Sequence, residues 1–225
     1  MRWLLTIFLV LACASARPDD AVAAPDIISV LKRSQQMRFD ALTGADRTSL
    51  RARKLHASFD SLMRAHSGPP LVELRIVRGD VLAETIHGNI VVANEVLGDL
   101  PESERLFILA HEIGHVMLGH WAQMGALYTR WIPGEVTQRH TDRIAGQLGR
   151  DASAMAHRHE FEADAFGLRS VRALGLTQQD VLASFVRLGM RNDTATHPAT
   201  RKRVAALRST EPAALHAETQ LAPGR

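Results

Sequence analysis

The stretch Leu106-Phe107-Ile108-Leu109-Ala110-His111-Glu112-Ile113-Gly114-His115-Val116-Met117-Leu118 is an apolar run interrupted by two histidines and one glutamate. Residues four apart on an α-helix stand one turn up the same face, so His111 and His115 can aim ring nitrogens at a single point. That is the HExxH pattern, in which one rigid element supplies two ligands for a zinc ion. Glu112, one position past the first histidine, faces the same side without being needed as a ligand. A base must stand there to take a proton from water activated by the ion. The competing explanation is a pair of histidines satisfied inside a core, in a chain that carries 11 of them. The apolar flanks on both sides, with Asp99 or Ser103 and the glutamates that follow as helix-start signals, favour the metal helix.

A catalytic zinc site normally has three protein ligands and one open position. Cys13 is the only cysteine, so the body of the chain has neither a disulfide nor a thiolate site, and the third ligand must be nitrogen or oxygen. Metzincins place a glycine and then a histidine at the positions held here by Leu118 and Trp121, which removes that option. His120 lies five residues past His115, on another side of a continuing helix, and reads as a surface or capping histidine. The better candidate lies in Arg158-His159-Glu160-Phe161-Glu162-Ala163-Asp164. Glu160 and Asp164, four apart, share a helix face, with Glu162 pointing away. Glu160 can bind zinc while Asp164 accepts a hydrogen bond from a ligating histidine and fixes its tautomer. Alone, the stretch reads as a solvated acidic helix. Beside HExxH it reads as a ligand and its support.

Around these motifs the spacing predicts an α+β, mainly α fold of the zincin type, with a small β-sheet beside the HExxH helix. Residues 25–66 carry helical periodicity in two segments separated near Gly44, and Gly68-Pro69-Pro70 closes them. Leu71 to Val77 alternates like a half-buried strand and Gly88 to Val92 reads as a second, so the sheet is placed at 71–92. A free edge there could bind an extended polypeptide backbone. Catalytic helices are expected over 102–208, including one from His159 to Leu174, one from Thr177 to Leu188 and one from His197 to Leu207. Residues 25–208 thus form a single domain, followed by a flexible tail at 209–225. Trp121 to His157 reads either as a helical excursion over the core or, through Trp121, Tyr128 and Trp131, as a substrate wall.

Met1-Arg2-Trp3, the apolar run Leu4 to Ala12 and the small residues up to Ala16 have the three-part layout of a signal peptide, 1–16, too short to span a bilayer. Cleavage after Ala14-Ser15-Ala16 predicts a periplasmic or secreted protein. The alternative, Val10-Leu11-Ala12-Cys13 as a lipobox, predicts a lipid anchor at Cys13 and an outer-membrane lipoprotein. No later apolar run is long enough for a transmembrane helix. The net charge of +3 comes from basic residues scattered among acids, with no basic block, so nucleic acid is not an expected partner.

Together, Ile90-Val91-Val92, Leu109 to Val116 with His120, Glu160-Phe161-Glu162-Ala163-Asp164, and His197-Pro198-Ala199-Thr200 with Arg203 resemble the gluzincin peptidases of family M48. That family includes HtpX, the CAAX prenyl endopeptidase and small envelope proteases, and this chain looks like a minimal soluble or lipoprotein form. The resemblance implies one zinc ion held by His111, His115 and Glu160, with His197 and Arg203 near the active site. It implies a zinc metalloendopeptidase acting on polypeptides, unfolded or membrane-associated proteins of the bacterial envelope. His197, and after it Arg203, could stabilise the oxyanion. His197 could equally occupy the open metal position and hold the enzyme latent, or simply begin a helix. A metal-stabilised envelope chaperone or assembly factor that rarely cleaves is the alternative function, and hydrolysis of a non-protein amide is a third.

Overall fold

The computed structural model describes residues 25–66 and 71–210, so the leader-like segment 1–16, Cys13 and nearly all of the 209–225 tail lie outside the described residues. In chain order the elements are α1 (Ile27–Asp40), β1 (Thr43–Gly44), α2 (Leu50–Ala65), β2 (Glu73–Arg78), β3 (Ala83–Ile86), β4 (Ile90–Asn94), a 3-10 turn (Glu95–Asp99), α3 (Glu102–Met117), α4 (His120–Trp131), α5 (Gln138–Ala173), α6 (Gln178–Leu188) and α7 (Thr200–Ser209). This is the mainly helical α+β class that the patterning predicts.

The four-stranded sheet has the order β1-β2-β4-β3. Its centre is a parallel pair, with Leu74 of β2 opposite Val91 of β4. β3 returns antiparallel against β4, with Thr85 opposite Val91, and ends the sheet. The sequence reading anticipates β2 and β4 only. β3 is Ala-Glu-Thr-Ile, too short and too polar to announce itself, and it exists because a tight hairpin folds it onto β4. That hairpin turns through His87 (φ 54°) and Gly88 (φ 77°). A side chain at 88 would put its Cβ 2.8 Å from the Cβ of Trp121, so α4 packs directly on the tip.

α3 runs through the middle of the core. Leu106, Phe107, Leu109, Ala110 and Ile113 are buried among Leu55 and Leu62 of α2, Val91 of β4, Leu168 and Val171 of α5, Val181 of α6 and Leu207 of α7. Neither Asp99 nor Ser103 caps it. Pro101 stands at the N-cap without a side-chain bond, Glu102 and Glu104 face the positive end of the helix dipole, and Asp99 instead accepts a hydrogen bond from Arg51 Nε at 3.0 Å. α5 is one helix of 36 residues, where the sequence suggests a separate helix beginning at His159. Its first half covers a satellite cluster of Ile27, Ile132 and Leu148, away from the main core. α7 begins at Thr200, so His197 and Pro198 belong to the preceding loop rather than to the helix expected from His197.

α3 and α5 approach closely because glycine stands where they touch. A Cβ at Gly167 would lie 3.0 Å from Phe107 Cε2 and 3.3 Å from the His111 backbone nitrogen, and one at Gly114 would lie 3.1 Å from Phe166 Cδ1 and 3.3 Å from Ala163 Cα. We expect Gly167→Val to destabilise the fold by about 1–3 kcal/mol through overpacking. Gly146→Ala, where an added Cβ meets only Arg150 Nη1 at 3.8 Å, should stabilise it by up to about 1 kcal/mol. Urea denaturation of the two variants checks the opposite signs.

Candidate metal centre

Three side chains from α3 and α5 form a small triangle. His111 Nε2 and His115 Nε2 are 3.2 Å apart. Glu160 Oε1 is 3.4 Å from His115 Nε2, and Oε2 is 3.6 Å from His111 Nε2. A tetrahedral zinc ion with bonds of about 2.0–2.1 Å has ligand-to-ligand edges of about 3.3 Å, so the triangle is the right size for one. Glu160 Oε2 is buried with no hydrogen-bond donor. Arg203 Nη1 lies 3.1 Å from it, an attraction at a distance where no aligned N–H completes the bond. An acceptor left in that state inside a protein fits a site built for a cation.

The two histidines are held from behind. His111 Nδ1 lies 3.0 Å from Asp164 Oδ1, and with its proton on Nδ1 the ring presents an Nε2 lone pair to the triangle. Asp164, only 2% exposed, also accepts from Arg203 Nε at 2.7 Å and Nη2 at 2.6 Å. This bidentate pairing commits the guanidinium to carboxylates. Burial opposes charge on Asp164, yet Arg203 and His111 outweigh it and hold the carboxyl below its ordinary range. Glu160 behaves likewise: burial pushes up, but His111, His115 and Arg203 bring it well down. Burial disfavours the charged form of His111, while Glu160 and Asp164 more than compensate and raise it.

His120 is not the surface histidine that helical counting suggests. Gly119, in the left-handed region at φ 67°, ends α3 and starts α4, which swings His120 back against the site. It is 4% exposed, its Nδ1 is 2.9 Å from His115 Nδ1, and its Nε2 is 3.1 Å from Glu162 Oε2. Its ring stacks on His159 with centroids 4.0 Å apart and planes within 5°. Thr85 of β3, another residue the sequence does not mark, places its hydroxyl 2.9 Å from Glu112 Oε2 and 2.9 Å from the Glu112 carbonyl. No pattern in the sequence pairs an edge-strand threonine with a helix glutamate.

His197 reaches the site from the loop before α7. Its Nε2 is 3.7 Å from Glu160 Oε1, its side chain is 59% exposed, and Thr196 Oγ1 lies 2.8 Å from Nδ1. Two cavities meet at the triangle. One, of about 220 Å³, is lined by Phe107, Ile108, Phe185 and Pro198 as well as His111 and Glu112. The other, of about 780 Å³, is a groove between α1, β3, α4 and α5, walled by Leu31, Thr85, Trp121, Met124 and Tyr128. Trp121 and Tyr128 thus line the groove, whereas Trp131 packs in the satellite cluster and its Nε1 donates to Asp151 at 3.2 Å.

Residues 49–211 match the family model described as Peptidase family M48. Among solved structures, the crystal structure of S. mikatae Ste24p is similar, with a TM-score of 0.49 and 14% sequence identity over 80% of this chain and 54% of that one. The chain therefore spans about half the length of that protein. A search of curated proteins found no match.

Burial, then the neighbouring His115, His159 and His111, pushes His120 down to about 3, while burial followed by Arg158 and His115 pushes His159 down to about 4. Below the ordinary value of 6.5, an unfolded chain takes up protons on both rings that the folded chain refuses, so each costs stability as pH falls from there to its folded value. The raised His111 works in the opposite direction, and the lowered Asp164 and Glu160 lose their contribution only below the ordinary carboxylate range. The His159 contribution is isolated by comparing wild type with His159→Phe, which keeps a ring against His120. In urea denaturation of the metal-free proteins, wild type should lose stability relative to the variant between about pH 6.5 and about pH 4. A constant difference across that interval would show that His159 is not held neutral.

Proposed function

The chain belongs to peptidase family M48, a family of zinc metalloproteases, and we propose that it is an endopeptidase of the bacterial cell envelope that cleaves unfolded or damaged proteins. The observation that carries this reading is the triangle of His111, His115 and Glu160, with Glu112 beside it at the meeting of two cavities. Those three residues would hold one ion per chain, His111 and His115 through Nε2 and Glu160 through its carboxylate. When bound, zinc supplies a Lewis acid that lowers the pKa of water and polarises a carbonyl.

Glu112 acts as the general base. Thr85 Oγ1 occupies its Oε2, which leaves Oε1 to accept the proton of the attacking water and return it to the leaving amine. In the tautomer whose Nδ1 accepts from the Thr196 hydroxyl, 2.8 Å away, His197 carries its ring proton on Nε2, the atom that faces the site and can donate to the developing oxyanion. Arg203 serves differently. With Asp164 and Glu160 as its partners, it positions the ligand carboxylate and the His111 ring, and it also lines the smaller cavity beside Glu112.

What supports a polypeptide substrate is β3. It ends the sheet, so one side of its backbone has no strand neighbour among the described residues, and Ala83 lines both cavities while Thr85 touches the base. An extended chain laid along that edge passes the metal centre, with the apolar cavity ready for one of its side chains. The leader-like segment 1–16 supports export to the periplasm or beyond, and Cys13 would be the point of attachment if the lipobox is used. No helix of the described residues is long and apolar enough to cross a membrane.

Zinc content and casein cleavage test the proposal. Glu112→Gln should retain zinc and lose roughly 100-fold or more in cleavage rate, and Glu160→Gln should lose zinc. Zinc without cleavage in the wild type would instead support latency or the chaperone reading. His197→Ala should keep zinc and lower kcat by roughly 100-fold. A rise in activity on the same substitution would assign His197 to latency.

A further inference from the structure

Among the described residues, His120, His159 and Glu162 form a second group close enough to hold an ion, yet its geometry is wrong for one. A metal must lie near the plane of an imidazole to meet the nitrogen lone pair. His120 and His159 are stacked with planes 5° apart and centroids 4.0 Å apart, so an ion in the plane of one ring stands well off the plane of the other. What the cluster does contain is a directed chain of hydrogen bonds ending on His115.

We infer that Glu162 and His120 form a relay that orients His115 for the metal, which makes His120 a positioning residue of the zinc centre. Two ring nitrogens 2.9 Å apart need one proton between them. If His115 Nδ1 carries it, His115 presents its Nε2 lone pair to the triangle, and His120 Nδ1 is the acceptor. His120 then carries its own proton on Nε2, which donates to Glu162 Oε2 at 3.1 Å. The reverse assignment would put a lone pair of His120 against a carboxylate. Glu162 therefore sets the direction of the whole chain. It is in turn paired with Arg158, whose Nε is 3.4 Å from Oε1, and the stack on His159 fixes the plane of the His120 ring.

The result parallels the support of His111, with an imidazole inserted. Asp164 reaches His111 directly, while Glu162 reaches His115 through His120. All three acids of Glu160-Phe161-Glu162-Ala163-Asp164 would then serve one ion, the first by binding it and the other two by setting ligand tautomers.

This inference rests on zinc being held by His111, His115 and Glu160, and the test separates the two. Zinc affinity of the full chain is measured by competition with a chromophoric chelator, together with zinc stoichiometry and the urea stability of each metal-free protein. His120→Leu should bind zinc about 10–100-fold more weakly. His120→Asn, whose Oδ1 stands near the lost Nδ1 and can accept from His115, should recover most of that loss. At the more exposed end of the relay, Glu162→Gln keeps an acceptor and should bind nearly as wild type. Glu162→Lys places a donor against His120 and should weaken binding about as much as His120→Leu, which keeps the test open if the buried substitution prevents folding. Wild-type affinity in His120→Leu or Glu162→Lys, equal weakness in His120→Asn and His120→Leu, or two zinc ions per wild-type chain falling to one in His120→Leu would overturn the relay. A wild type that binds no zinc would overturn the metal centre itself.

Discussion

Putting Glu160 and Asp164 into the interior is the constraint on which this structure turns. A carboxylate removed from water is expensive unless it is paired and hydrogen-bonded. Here the two are answered by one set of groups: Arg203 bridges both, and the histidines of α3 face them. That answer is available only if α3, α5 and α7 converge at a single depth. The glycines that let α3 and α5 approach, and the loop that delivers α7 with Arg203, are conditions for burying these charges as much as for building a site. Even so, one oxygen of Glu160 is left without a donor, and a cation in the triangle would complete it.

The sequence was informative wherever function needed residues at fixed spacing on one helix. His111, Glu112 and His115, and then Glu160 and Asp164, can be picked out because a turn of helix converts their spacing into a shared face, and the structure brings their atoms within a few ångströms. It was least informative where the backbone leaves regular geometry. Counting past His115 assumes that α3 continues, whereas Gly119 at φ 67° breaks the count and turns His120 inward. Thr85 was invisible for a different reason: a four-residue edge strand has no periodicity to read, and its place beside Glu112 is set by pairing with β4. The long α5 was obscured because its two halves pack on different clusters, so no single apolar stripe runs its length.

Support of the site is divided unevenly between elements. α3 contributes Glu112 and two histidines, all from one apolar helix whose burial leaves little freedom to move. α5 contributes the acids. The loop before α7, tied by polar bonds to Thr194, Thr196 and Asp193, contributes an exposed imidazole. The triangle thus comes from two packed helices, and the exposed imidazole beside it from a loop that enters the core only at its next residues, Pro198 and Ala199.

α1 forms a wall of the larger groove, and its Arg38 and Gln35 bond to Glu84 and to the His87 backbone at the ends of β3. It precedes the residues matched to the family, which begin at 49, and it packs through Ile27, Ile28, Val30 and Leu31 in the satellite cluster and through Phe39 on Val77, Ile86 and Val92 of the sheet, outside the core around α3. One wall of the groove leading to the metal centre is therefore a helix whose packing lies outside the core that holds His111, His115 and Glu160. Lengthening, tilting or loosening that one helix would change the width of the groove while the triangle of His111, His115 and Glu160, held by α3 and α5, stays where it is.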